Sequence, residues 1–568
     1  MKRYRTVLCI LLALTMVLAF CACNKEEKPP AVTESAGTTS AKPTQPAPSS
    51  APPSAKPTET DPTPTQTVQS RDDYVISTVD EYLNRPHEIQ PGTSVTLICS
   101  DIPSQVPWNS VSEGQMWAAI YESLLYMHLG DVNDIRGLVA ESWTHSDDYL
   151  IWTFQIRDGI KFHDGTVCDA TAIADSWDYY NEASPASFSN INMVSWEATS
   201  AKELVLTLSK PCSNFQSSMT RLAIVSPTAL ATYGLNDNGA AIGTGPYYID
   251  SYTSGVGFVF KAFPDYNFYE HMPCIETFNI NIIKDENTKY MALMNGDIDG
   301  YTFQQVQSFY NLQDNNYDGT LIQSYGNCNP FFFNAKKVPE FMNFEVRKAM
   351  TRFIDLEAVN TIMYDDFGLI QDSLWTVGST GDVPSDQFYY DKNEGLELMA
   401  SAGVDPNDMS FVAKIIDSEA DLFVTIQGQL AEVGIDMEVE SLEPQANFTF
   451  LMQGEWSITA GNSGYSSSSP YGPWTFILKP EHLIRECWQE LYDPELYQKM
   501  VESYDAMIGA KTWDEMIKNC RQLTKYEQDD FGAMPGIQAP WFAAFDKDLK
   551  GLVFASENHF LQLYYMYK

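Results

Sequence analysis

Leu150-Ile151-Trp152-Thr153-Phe154-Gln155-Ile156-Arg157-Asp158-Gly159-Ile160-Lys161-Phe162-His163-Asp164-Gly165-Thr166 is the stretch on which the fold turns. Its first seven residues place Trp152, Phe154 and Ile156 on one side, which predicts a half-buried strand. Asp158-Gly159 predicts a turn, Ile160-Lys161-Phe162 a return strand, and Asp164-Gly165 a second turn. Asp-Gly between apolar strands signals a hairpin because both positions tolerate positive φ. Asp169 is then placed to cap a helix with Ile173, Trp177 and Tyr180 on its inner side.

Working outward, Thr93 to Cys99 reads as a buried strand. Gly114 to Tyr126 reads as a helix with Trp117, Ile120, Leu124 and Leu125 at core spacing. Asp391 with Glu394 makes a capping-box pattern, Leu396 and Met399 face inward, and Gly403 stops the helix. Ser418 with Asp421 repeats the device before a stripe of Leu422, Ile426, Leu430 and Val433 that ends at Gly434. Ile435, Met437 and Val439 then alternate with charged residues, so a strand follows the helix. The chain reads as mixed α/β with short connections and no internal repeat.

The segments Gly137-Leu138-Val139-Ala140-Glu141-Ser142-Trp143, Trp152-Thr153-Phe154 and Arg157 to Thr166 recur in a recognisable order with others. These are Gly243-Thr244-Gly245-Pro246-Tyr247, Asn295-Gly296-Asp297-Ile298-Asp299, Phe333-Asn334, Val346-Arg347-Lys348-Ala349-Met350 and Gln429 to Ile435. The series resembles the extracytoplasmic solute-binding proteins of ABC importers, family 5, which take oligopeptides, dipeptides or nickel. The resemblance implies a two-lobed periplasmic-binding-protein-like fold (type II, with an extra subdomain in lobe I). Lobe I would comprise 70–332 and the C-terminal return 536–568, and lobe II 333–535. Crossover strands near Phe331-Phe332-Phe333 and Pro535 to Trp541 would serve as the hinge. It also implies capture of a small-molecule or peptide ligand by lobe closure, and delivery to an ABC permease and ATPase complex.

The start of the chain agrees with that setting. Basic Lys2, Arg3 and Arg5 lead into an apolar run from Val7 to Phe20, shorter than the about 20 residues a spanning helix needs. Residues 1–22 read as a lipoprotein signal peptide and Cys23, after the small Ala22, as the lipidated residue. Residues 23–69 then form a Pro/Ser/Thr-rich spacer with almost no large apolar side chain, unable to offset its ordering entropy. The expected location is the outer face of the cell membrane, reached through the lipid anchor alone. A net charge of -40 argues against nucleic acid and anionic lipid as partners. A monomer is expected.

Catalytic and metal chemistry find no constellation. His-Glu-x-x-His, Gly-x-Ser-x-Gly, Gly-x-x-x-x-Gly-Lys and Cys-x-x-Cys are all missing from the sequence, and its 7 histidines are isolated. No enzyme activity, cofactor or metal is expected. Cys99, Cys168, Cys212, Cys274, Cys328, Cys487 and Cys520 are an odd, scattered set, read as mostly buried thiols with room for one or two bridges. Asp297 and Asp299 read as solvated positions, and the Gly243-Thr244-Gly245 turn and His163 as structural.

For the ligand, the resemblance points to Ser112, Glu113 and Gln115 before and within the first helix, and to Trp375 in the Asp372 to Asp382 loop. It points also to the segment holding Trp456, Asn462, Ser463, Tyr465 and Trp474. Where peptide-binding relatives place an aspartate for the ligand's α-amino group, this segment offers Asn, Tyr and Ser. The likeness therefore implies a peptide, with a blocked peptide, an oligosaccharide or another neutral solute as the alternative; sensing or adhesion without a transporter is a further one.

Overall fold

The computed structural model describes residues 85–99, 104–109, 114–128, 134–328, 330–373, 375–376, 379, 381–416, 419–460, 474, 478, 493–555 and 560–568. The expected leader, Cys23 and the spacer lie outside this set, as do Ser112, Glu113, Asn462, Ser463 and Tyr465.

An 8-stranded sheet organises the first core. At its centre Gln90–Cys99 buries Val95, Leu97 and Cys99 at alternate positions and runs parallel to Ile275–Ile282 and Gly300–Phe303. Gly257–Ala262 and Tyr247–Thr253 extend one side. On the other side Ile537–Phe545 lies between Gly300–Phe303 and Thr320–Cys328, antiparallel to both. The C-terminal part of the chain thus returns to the sheet that the first part began.

A 4-stranded antiparallel sheet carries the opening stretch of sequence: Ala140–His145, Ile151–Ile156, Glu203–Leu208 and Met193–Ser200. Trp152, Phe154 and Ile156 face inward, and the helix Ala170–Ala183 buries Ile173, Trp177 and Tyr180 against it. Asp169 caps that helix by accepting the Ala172 N–H.

A second core forms around Phe331–Phe333, which pairs with Ile458–Ala460 on one side and Ala533–Met534 on the other. Beside it Ser410–Ile416 and Asp436–Leu442 run parallel, joined through the helix Ala420–Ala431. Buried Arg347 holds the end of the helix Trp513–Asp530, donating to the Asp530 carbonyl at 3.0 Å and to its carboxylate at 3.0 Å. Its Nη1 donates to the Phe341 and Met342 carbonyls, and its Nε to the Asp530 carbonyl at 3.3 Å. A buried guanidinium is stable only when so satisfied, which explains Arg347 within Val346-Arg347-Lys348-Ala349.

Five expectations are corrected. The helix predicted to run to Tyr126 is Gly114–Ile120, and Leu125–Met127 is a strand paired with Ile135–Gly137. The carbonyls of Ile120, Glu122 and Leu124 bond Gly245, Ile224 and Leu138 instead of continuing the helix. Ile160-Lys161-Phe162 does not return along Ile151–Ile156, because both edges of that strand are taken by its neighbours. It pairs instead across the Asp164-Gly165 turn, at Lys161 and Val167. In the helix Lys392–Ala402 the inward residues are Gly395 and Met399, while Leu396 is exposed. Its cap is half a box: Asp391 accepts the Asn393 and Glu394 N–H groups, but the Glu394 carboxylate turns to Arg352 and Tyr389. Asp299 is tied rather than solvated, accepting the Thr96 N–H and pairing with Lys568 at 2.7 Å. Ser418 lies outside the described residues; the helix begins after Glu419, whose side chain makes no cap bond.

Candidate functional site

Two strand-to-strand passages join the two cores, from Cys328 to Phe331 and from Met534 to Ile537. The passages run side by side, since Phe331 pairs with Met534 on one side of the junction and Cys328 with Gln538 on the other. Ile458–Ala460 is antiparallel to Phe331–Phe333 with Ala460 opposite Phe331, so the chain leaves Ala460 on the junction side.

Strand alternation gives the small sheet two different faces. Phe331, Phe333, Ile458 and Met534 enter the aliphatic second core. Phe332 and Ala533 join a separate cluster with Trp375, Trp456, Trp474, Tyr497 and Tyr504. Thr459, paired with Phe332, is buried on that same face.

Two of the tryptophans are held by hydrogen bonds. Trp375 donates its indole N–H to Thr524 at 2.9 Å, and its carbonyl accepts from the Gln371 amide at 2.6 Å. The loop around it is pinned by Gln528, whose amide donates to the Asp372 and Val383 carbonyls, and by Ser373 donating to Asp382 at 2.7 Å. Burial raises the Asp372 carboxyl above the usual carboxylate range. Trp456 is positioned through its backbone: the Asn334 amide donates to the Gly454 and Trp456 carbonyls at 3.1 and 2.6 Å. That bond is the physical content of the Phe333-Asn334 motif.

Trp375, Trp456 and Trp474 are 1%, 2% and 0% exposed, so all three are covered by protein here. Gln115 lies in the first helix. Residues not singled out from sequence also stand at the junction: Thr459, Gln371 and Gln538 are buried, and Gln371 donates its backbone N–H to the Gly536 carbonyl at 3.0 Å. Among the described residues, their Thr459 Oγ1, Gln371 Oε1 and Gln538 Oε1 atoms, with Trp456 Nε1, have no hydrogen-bond partner. Buried polar atoms are ordinarily paired, so each asks for a reason. Unpaired atoms occur elsewhere too, such as Trp177 Nε1 in the first core. What distinguishes these four is that they lie on segments meeting at the two passages. Thr459 beside the aliphatic Ile458, a hydroxyl on the opposite face of the strand, was the signal that could have singled it out.

Titratable groups elsewhere serve the fold. Glu122 is fully buried and pushed up to about 7 by desolvation, opposed by the Tyr266 hydroxyl that donates to it at 2.7 Å. His163 is lowered to about 4 by burial and lies 2.9 Å from the Gly245 carbonyl. Gly243 and Gly245 sit where a Cβ would strike the Ile120 and Ala119 carbonyls, so the Gly-Thr-Gly turn exists for close approach. Cys168, Cys212 and Cys274 are buried free thiols, and Cys99 and Cys520 are buried as well. Among the described residues no helix is long and apolar enough to cross a membrane.

Two cores joined by paired passages define a two-lobed binding-protein fold, and solved structures share it. NikA from Brucella suis, in complex with Fe(III)-EDTA, superposes with a TM-score of 0.72 at 18% identity, over 83% of this chain and 99% of that one. DppA from Helicobacter pylori, in complex with peptide STSA, gives 0.67 at 18% identity, over 84% and 98%. By sequence the chain belongs to the bacterial extracellular solute-binding proteins, family 5, whose middle-region model matches residues 134–482. Such proteins serve ABC importers and bind rather than catalyse. Glutathione-binding protein GsiB of Shigella flexneri is 26% identical over 416 residues, 70% of this chain and 78% of that protein.

Proposed function

We propose that this chain is a lipid-anchored, monomeric peptide-binding protein that captures its ligand by lobe closure and passes it to an ABC import permease. The lobes are 70–332 with 536–568, and 333–535, and the leash is the spacer 23–69 held at Cys23. Asn462, Ser463 and Tyr465 line the ligand from lobe II, and Ser112, Glu113 and Gln115 from lobe I, while Trp375, Trp456 and Trp474, buried in the aromatic cluster, stiffen the lobe II wall from within.

What carries this reading is the match of residues 134–482 to the family 5 solute-binding model, together with a two-lobed fold shared with a structure in complex with a peptide. The Trp456 indole, the Thr459 hydroxyl and the Gln371 and Gln538 amides near the two passages are neutral hydrogen-bonding groups, the kind a peptide backbone complements. Ligand contacts made on both lobes exist only when the lobes are closed, so binding shifts the open-closed balance by its differential affinity. A swing from 1:99 to 99:1 needs about a 10⁴-fold preference. The diacylglyceryl group of a bacterial lipoprotein provides the two chains that lasting attachment requires.

Mass spectrometry of the small molecules released on denaturing the purified protein tests the ligand. Calorimetry with trialanine and N-acetyl-trialanine follows. Binding that tolerates the acetyl group is expected; recovery of a sugar, or a strict requirement for a free amino group, overturns the proposed chemistry. Metabolic palmitate labelling that survives Cys23→Ala would overturn the anchor.

A further inference from the structure

A third connection between the two cores lies beside the two passages. The helix Leu356–Tyr364 packs Leu356, Val359, Met363 and Tyr364 into the second core. Asp365 and Asp366 then both take left-handed backbone angles, φ 50 and 64, which Asp tolerates better than most residues. Immediately after this turn the chain is on the first core. The Phe367 ring meets those of Phe309 and Phe542 at 5.7 and 5.6 Å, and Leu369–Ile370 pairs with Gln538 and Ile537. The turn is pinned from both sides. Thr361 of its own helix donates to the Asp366 carboxylate at 2.6 Å, and Tyr310 of the first core donates to the Asp365 carboxylate at 2.5 Å.

Elsewhere in this same arrangement the cores also touch. Ser213 donates to the Met507 carbonyl at 3.4 Å, and Lys511 lies within electrostatic range of Asp148. The Tyr310–Asp365 bond therefore coexists with contact at a second place, as a closed arrangement requires.

We propose that Tyr310 and Asp365 are positioning residues that tie the two lobes in the closed arrangement and set how much of it the ligand-free protein holds. The inference rests on capture by lobe closure, yet neither residue is among those placed against the ligand. A net hydrogen bond to a charged group, in a partly solvated place, shifts such a balance about three- to tenfold.

The test is the distance distribution between spin labels at Val194→Cys and Val424→Cys, exposed sites on the two lobes, in the ligand-free protein. Tyr310→Phe and Asp365→Ala should each move population to longer distances, and the double variant no further than either. Asp365→Asn, which keeps an acceptor, should fall between them and the unaltered protein. Unchanged distributions in Tyr310→Phe and Asp365→Asn, or a double variant that moves by the sum of the singles, would overturn the tie. Failure of closure itself would look different: adding trialanine would leave the distances unmoved while Tyr310→Phe still lengthened them.

Discussion

The two faces of the sheet Ile458–Ala460, Phe331–Phe333 and Ala533–Met534 are built from the same strands and differ in kind. One face, Phe331, Phe333, Ile458 and Met534, packs into aliphatic residues as any core does. The other sets Phe332 and Thr459 against tryptophans and leaves polar atoms without partners. Alternation lets one short sheet hold the fold together with one side and present chemistry with the other. The first face should answer to volume, the second to hydrogen bonding.

The largest effect is expected on the apolar face. Phe333→Ala leaves a cavity in the second core and should cost about 3–5 kcal/mol in denaturant unfolding. A loss under 1 kcal/mol would mean that this face is not the structural one.

Glu122 sharpens the contrast, being a buried polar group that does have a partner in Tyr266. Its carboxyl is raised from 4.5 to about 7, so the folded protein holds a proton that the unfolded chain has released. Its contribution is therefore fullest below pH 4.5 and is lost as pH rises through about 7, a fall of about 3 kcal/mol at about 1.4 kcal/mol per unit. Glu419, raised to about 7 by burial, adds a fall of the same sign. Glu122→Gln should flatten the stability profile between pH 4.5 and 7; an unaltered slope would contradict the burial argument.

The smallest effect in stability, and the most telling, belongs to Thr459. Thr459→Val removes a buried hydroxyl with no partner and should stabilise the protein by about 1 kcal/mol, while weakening ligand about tenfold. Destabilisation with unchanged affinity for the co-purified ligand would make Thr459 part of the fold and nothing more.

Much of this architecture was legible because it is local. Trp152, Phe154 and Ile156 announce their strand by alternation, Asp169 its cap, and Leu422, Ile426 and Leu430 their helix face. What escaped depended on partners far along the chain. Nothing near Ile120 says that its carbonyl will bond Gly245, and nothing near Ile160 says that Glu203–Leu208 will already occupy the neighbouring edge. The resemblance pointed to the tryptophans. It did not point to Gln371, Thr459 and Gln538, because an unpaired atom is a property of three dimensions. Likewise nothing near Arg347 says that the helix end at Asp530 will arrive to receive it.

Small-angle scattering of the protein, stripped of bound solute by unfolding and refolding and then titrated with a casein peptide pool, addresses the account at its root. A saturable decrease in the radius of gyration is predicted, with the bound peptide recovered intact by mass spectrometry. A radius that stays constant to saturation, or a peptide recovered cleaved, would contradict it.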